Sequence, residues 1–188
     1  MIETLKHTDT AVFLYLNGKH NEFMDVVMHY ASHKLTWIPL YALLLFLVWR
    51  SQQKKTLLVL LAVALMILIV DQVSVHCFKE LFQRYRPCHN LEIKDSVHLV
   101  DGCGGLYGFV SSHAANTFSL AAFISLVFRK RKCTVLLFLW AGFVSYSRIY
   151  TGVHYPADIV GGAILGLIVA FLIWKLYSWV SLKNLLNK

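Results

Sequence analysis

The sequence predicts an all-α, polytopic membrane bundle of about five transmembrane helices preceded by an amphipathic helix. Three observations predict it. Hydrophobic residues make up 57% of the 188, against about 45–50% in soluble domains, and mean hydropathy is +0.58. Apolar runs close to the length that crosses a bilayer recur along the chain. Basic residues collect between those runs, as Arg50, Lys54 and Lys55 and again as Arg129, Lys130, Arg131 and Lys132, the distribution that marks cytoplasmic loops.

The elements follow in order. Residues 8–16 (TDTAVFLYL) are apolar but too short to span, so they read as an interfacial helix closed by Asn17-Gly18. The first span is expected over 24–49, with His29, His33 and Lys34 in its weaker half, and the second over 56–78, interrupted near its end by Asp71. A polar segment at 79–107 contains the turn cluster GCGG at 102–105. The third, fourth and fifth spans are expected over 111–128, 134–150 and 156–177. The length suits one domain. The opening MIETLKHTDT is polar and lacks a cleavable apolar core, so the bundle is expected to insert by its own spans.

The net charge of +8 does not imply a nucleic-acid partner, because no basic face with interleaved aromatics stands outside the apolar runs. It sets topology instead. With both basic loops inside, 79–107, the 147–155 turn and the amino terminus face outside, while Lys183 and Lys188 end inside. Three polar clusters from distant parts of the chain thus meet one membrane face.

Each cluster fits anion chemistry and each has a plainer use. KELFQRYRP carries Lys79, Arg84, Arg86 and Pro87; Lys79 and Arg86 would share one face of a continued helix, or simply snorkel to headgroups. In GFVSSHAANTF, Ser111 or Ser112 can cap a helix whose free N–H groups suit phosphate, with His113 in the first turn. In SRIYTGVHYPAD, Arg148 closes one span, Pro156 suits the first turn of the next, and Asp158 lies within reach of His154. A carboxylate on one imidazole nitrogen orients the ring and frees the other nitrogen, though such a pair can also just join two helices. Together, two histidines, a carboxylate and the cations Lys79, Arg86 and Arg148 match phosphoryl transfer. Metal ligation by His113, His154 and Asp158 is disfavoured by those cations, and no metal or cofactor is expected.

These motifs resemble the type 2 phosphatidic acid phosphatase superfamily, whose signatures are K-x6-RP, PSGH and SR-x5-H-x3-D. The run from Lys79 to Pro87 matches the first and the run from Ser147 to Asp158 the third; the second reads Val110-Ser111-Ser112-His113, with Val and Ser replacing Pro and Gly. The motif-bearing core covers 79–162. The resemblance implies a membrane lipid phosphatase with His154 as nucleophile, Asp158 as its orienting partner and His113 as general acid. It assigns phosphate binding to Lys79, Arg86, Arg148, Ser111 and Ser112. Undecaprenyl diphosphate and lipid A phosphates lead the implied substrates, ahead of phosphatidylglycerophosphate and phosphatidic acid, in a bacterial inner membrane with the site facing the periplasm. Carriage of an anionic lipid without chemistry is the rival reading.

Two further expectations concern support. In an oxidising periplasm, Cys88 and Cys103 of the external segment can pair. Ala115, Ser119 and Ala122, with Gly162 and Gly166, form small-residue stripes that let helices approach closely. Trp37, Trp49 and Trp174 read as interface anchors or packing.

Overall fold

In the computed structural model, which describes residues 2–186, helices α1 (Ile2–Asn17), α2 (Glu22–Ser32), α3 (Ile38–Gln52), α4 (Thr56–Gln72), α5 (Glu80–Phe82), α6 (Ser112–Phe128), α7 (Arg131–Tyr150) and α8 (Pro156–Leu186) follow one another. Lys188 lies outside the described residues.

The amino-terminal helix is longer than 8–16 and ends where expected, at Asn17-Gly18. Asn17 is fully buried; its amide donates to the carbonyls of His98 at 2.9 Å and Tyr150 at 2.8 Å, and its Oδ1 accepts from the His98 N–H at 2.8 Å. Phe13 packs edge-on against Tyr155, ring centroids 5.3 Å apart. These contacts lay α1 across the end of α7 and the start of α8, with Leu5, Val12 and Tyr15 exposed on its outer side.

The expected span over 24–49 is two elements. Asn21 caps α2 by accepting from the Met24 N–H at 2.9 Å, and His33, extended at φ −85 and ψ 125, ends it. Polar residues explain the break: Asp25 pairs with His98 at 2.9 Å and His29 with Asp101 at 2.6 Å, partners that a lipid-buried helix would not reach. The apolar stretch begins only at the 3-10 turn Lys34–Trp37 and continues as α3.

At Gln53, where φ is 43, the chain turns back into α4, which runs through a π-helical stretch, Val73–Lys79, into α5. Gln83, with φ 46, stops it. The segments Lys34–Phe82, Arg131–Tyr150 and Pro156–Lys183 are long and apolar enough to cross a membrane, and α6 is a shorter apolar helix. Leu61, Leu68, Leu136, Leu139, Ile168 and Leu172 are exposed on the outer faces, the inverse of a soluble surface and the arrangement lipid favours.

The centre of the bundle is α6. Its Ala114, Ala115, Ser119, Ala121 and Phe123 have no exposed surface. A Cβ on Gly162 would meet the Ser111 carbonyl oxygen, and one on Gly166 the Ala115 carbonyl, so α8 approaches α6 backbone to backbone. Lys55 and Arg129 from the two basic loops line one shallow depression with Tyr177 and Ser178. That depression lies at the far end of α6 from His113, about 24 Å away at 1.5 Å of rise per residue.

Candidate active site

Asp158 sits in the first turn of α8, after Pro156 at its first position, and has no exposed surface. Four groups hold it. The Nδ1 of His154 lies 3.3 Å from Oδ2, and the Tyr155 N–H donates to the same oxygen at 3.0 Å. The Arg84 guanidinium donates to Oδ1 at 2.9 Å. The Asp158 main-chain carbonyl accepts from the Ser111 N–H at 3.0 Å. A carboxylate only accepts, so His154 carries its proton on Nδ1 and leaves Nε2 as a lone-pair nitrogen.

His154 looks into a cavity of about 550 Å³ whose polar wall also includes Lys79, Arg86, Ser112, His113 and Arg148. The Nε atoms of Arg86 and Arg148 are buried without partners. Burying an unpaired guanidinium is costly, and an anion in this cavity would relieve the cost for both. Lys79 donates to the Ser112 hydroxyl at 2.7 Å, and that hydroxyl is 2.8 Å from Ser74 Oγ. Trp37, Val63, Ile67, Leu120, Trp140 and Val144 extend the wall as an apolar surface.

Six of the eight residues expected in the site line this cavity, and Asp158 stands directly behind His154. Ser111 is the exception in kind: it is fully buried, its hydroxyl accepts from the Ala114 N–H at 3.5 Å, and it caps α6 rather than lining the cavity. The route taken by the first cluster also differs from expectation. Lys79 ends the π-helical stretch, whereas Arg86 lies beyond the helix, its N–H donating to the Leu106 carbonyl at 3.1 Å. The two cations meet through a loop and not along one helical face. The structure joins Cys88 to Cys103, with Cα atoms 6.0 Å apart, closing the loop next to Arg86. Trp37 lines the cavity and meets Trp140 edge-on at 5.7 Å, so it is more than a membrane anchor.

Residues outside the expected set also build the site. At Gly108 a Cβ would lie 3.1 Å from Asp158 Oδ2, 3.2 Å from Arg86 Cγ and 3.5 Å from His154 Nδ1. Arg84 grips Asp158 although it lines no part of the cavity, and Ser74 braces Ser112. The chain signal for Gly108 was only its place before VSSH, and for Arg84 only its presence in KELFQRYRP.

Burial pushes the His154 imidazole down to about 4 from an ordinary 6.5, against the pull of Asp158 in the other direction. The folded protein therefore holds this ring neutral where the unfolded chain binds a proton. Its contribution to stability is complete above pH 6.5 and is lost as pH falls toward 4. Thermal unfolding in detergent is expected to show a wild-type melting midpoint that drops between those limits more steeply than that of His154→Gln. Equal slopes would contradict it.

The model of the PAP2 superfamily matches residues 55–181, which include α4 to α7, most of α8, and the cavity-lining His113, His154, Lys79, Arg86 and Arg148. The chain belongs to the PAP2 superfamily. Among curated relatives, the lipid A 4'-phosphatase of Bacteroides thetaiotaomicron is 41% identical over 169 residues, covering 88% of this chain and 75% of that one. The lipid A 4'-phosphatase of Porphyromonas gingivalis is 39% identical over 180 residues, covering 95% and 76%. A solved transmembrane PAP2-type phosphatidylglycerolphosphate phosphatase from Bacillus subtilis shares the fold, with a TM-score of 0.70 at 20% identity over 94% of this chain and 88% of that one. This PAP2 protein is an integral membrane helical bundle.

Proposed function

We propose that this PAP2 protein is a metal-independent phosphatase that removes a phosphate group from lipid A, acting from the periplasmic face of a bacterial inner membrane through a phosphohistidine at His154. The observation that carries the reading is the shared cavity. A histidine whose Nδ1 is held by a buried carboxylate faces the same space as a second histidine and the cations Lys34, Lys79, Arg86 and Arg148.

Lys79, Arg86 and Arg148 would hold the non-bridging phosphoryl oxygens, where positioning and charge neutralisation lower the barrier. Ser112 and the free N–H groups at the start of α6 would add donors. The Nε2 lone pair of His154 attacks phosphorus as the bond to the sugar oxygen breaks, and His113 gives that oxygen a proton. The Nδ1 proton stays on the ring, where Asp158 stabilises the cationic phosphohistidine. Water then attacks the phosphorus, His113 takes its proton back, and the nitrogen–phosphorus bond breaks to release phosphate. Three side-chain cations supply the charge that a metal supplies elsewhere. Ser111 serves by holding α6 against α8 at the site.

The apolar continuation of the cavity favours a substrate that keeps its chain in the bilayer, and the names of the two relatives at 41% and 39% identity favour lipid A among lipids. The basic loops at the opposite end of α6 support an outward-facing site by the positive-inside rule.

Phosphate release by detergent-purified protein in excess EDTA tests this. Lipid A is expected to turn over at a rate EDTA does not change, with kcat/KM at least about tenfold above undecaprenyl diphosphate and phosphatidic acid. Loss of turnover in EDTA with recovery on adding a divalent metal would contradict the metal-free mechanism. A preference for undecaprenyl diphosphate would move the substrate, and no release from any lipid by folded protein would favour carriage of an anionic lipid.

A further inference from the structure

The family match begins at residue 55, yet one carboxylate at the site comes from α1. Asp9 Oδ2 accepts from Arg84 Nη2 at 2.6 Å while Arg84 Nη1 donates to Asp158 Oδ1 at 2.9 Å. The other oxygen of Asp9 accepts from the Ala157 N–H at 2.9 Å. The Asp9 side chain is 11% exposed and that of Arg84 25%, so both sit in the protein behind the cavity. The guanidinium also lies 4.1 Å from the centre of the Tyr155 ring, itself anchored by Asn90 and Phe13.

We propose that Asp9 and Arg84 are positioning residues that hold Asp158 square to His154, so that the amino-terminal helix is part of the catalytic apparatus. The planar fork of Arg84 spans two carboxylates, which a lysine cannot do. With Asp9 present, Arg84 is pinned and its charge is shared. Without it, the full cation has Asp158 as its remaining carboxylate partner and competes with the imidazole N–H for it. The nucleophile then loses its orientation and the support of its developing positive charge, while the phosphate-binding cations in the cavity are untouched. The expected signature is a fall in kcat with little change in KM.

This inference rests on His154 as nucleophile, and the experiment separates the two. Asp9→Asn is the informative variant, because its side-chain oxygen still accepts from Ala157 and keeps the helix cap, while its amide faces Arg84 as a donor. Lipid A hydrolysis by Asp9→Asn is expected to show kcat lower by about 10- to 100-fold, the scale on which a misplaced reacting group costs rate, with KM within about twofold and an unchanged melting midpoint. Arg84→Lys should repeat the loss, which keeps the test open if Asp9→Asn does not fold. The double variant should lose no more than the worse single one. Wild-type kcat in either folded variant, or losses that multiply in the double, would overturn the proposal. His154→Ala runs alongside. Turnover by that variant would sink the nucleophile reading, whereas a dead His154→Ala beside a fully active Asp9→Asn would overturn the positioning role alone.

Discussion

His154→Ala is expected to lose lipid A phosphatase activity by about 10⁴-fold or more while the protein stays folded and still binds the lipid. Removing an attacking group that works within a coupled set costs on this scale, and the remaining members then contribute little chemistry on their own. Binding survives because Lys79, Arg86 and Arg148 reach the cavity from three other elements. His113→Ala is expected to act differently. It removes the proton donor, so its defect should shrink with a substrate whose leaving oxygen needs no proton, such as an aryl phosphate. A His154→Ala defect should not shrink in that way. Steady-state rates with lipid A and with an aryl phosphate distinguish the two residues, and identical substrate dependence of the two defects would contradict the assigned roles.

The combined change Gly162→Ala and Gly166→Ala is expected to have the second largest effect, although neither glycine touches substrate. A methyl on Gly162 would stand 2.5 Å from the Ser111 carbonyl oxygen and 3.1 Å from the Ala114 Cβ. The methyl on Gly166 would overlap the Ala115 carbonyl. Both obstacles include main chain, so α8 must move away from α6. Overpacking of this kind costs about 1–3 kcal/mol per site. The displacement acts where it matters, because α6 carries His113 while His154 and Asp158 lie at the start of α8. The double variant is expected to melt several degrees lower and to lose about 10²-fold in kcat, since catalytic geometry tolerates shifts of about an ångström poorly. Gly142, whose Cβ would meet nothing within 4 Å, is the control, and Gly142→Ala should leave both readouts unchanged. Equal behaviour of the two variants would show that close α6–α8 approach does not set the site.

Much of this arrangement is legible in the chain, and the reasons differ by feature. The helical membrane class follows from apolar runs that lipid requires. The capping of α6 follows from the serine pair before an apolar run, and the start of α8 from Pro156. Each is a local rule acting on neighbouring residues. The expected first span overruns α3 because Met28 and Ala31 are apolar enough to extend the run backwards. What ends it is tertiary: Asp25 and His29 find His98 and Asp101, residues more than seventy positions away. The chain suggests a shared helical face for Lys79 and Arg86 because nothing adjacent to Arg86 signals the left-handed Gln83 that stops the helix. The role of Asp9 is not legible in the chain for a related reason. It shares a helical face with the buried Phe13 and Asn17 at spacings of four and eight, but one acidic residue in a short interfacial helix reads as a solvated position. Its partner Arg84 is 75 residues distant.

The most direct test of a phosphohistidine at His154 is chemical trapping. Purified protein is mixed with lipid A carrying a labelled phosphate, quenched in alkali during turnover, digested and mapped. An alkali-stable, acid-labile label on the peptide containing His154, absent from His154→Ala, is the predicted result. Label on a different residue, or wild-type turnover by His154→Ala, would contradict the mechanism.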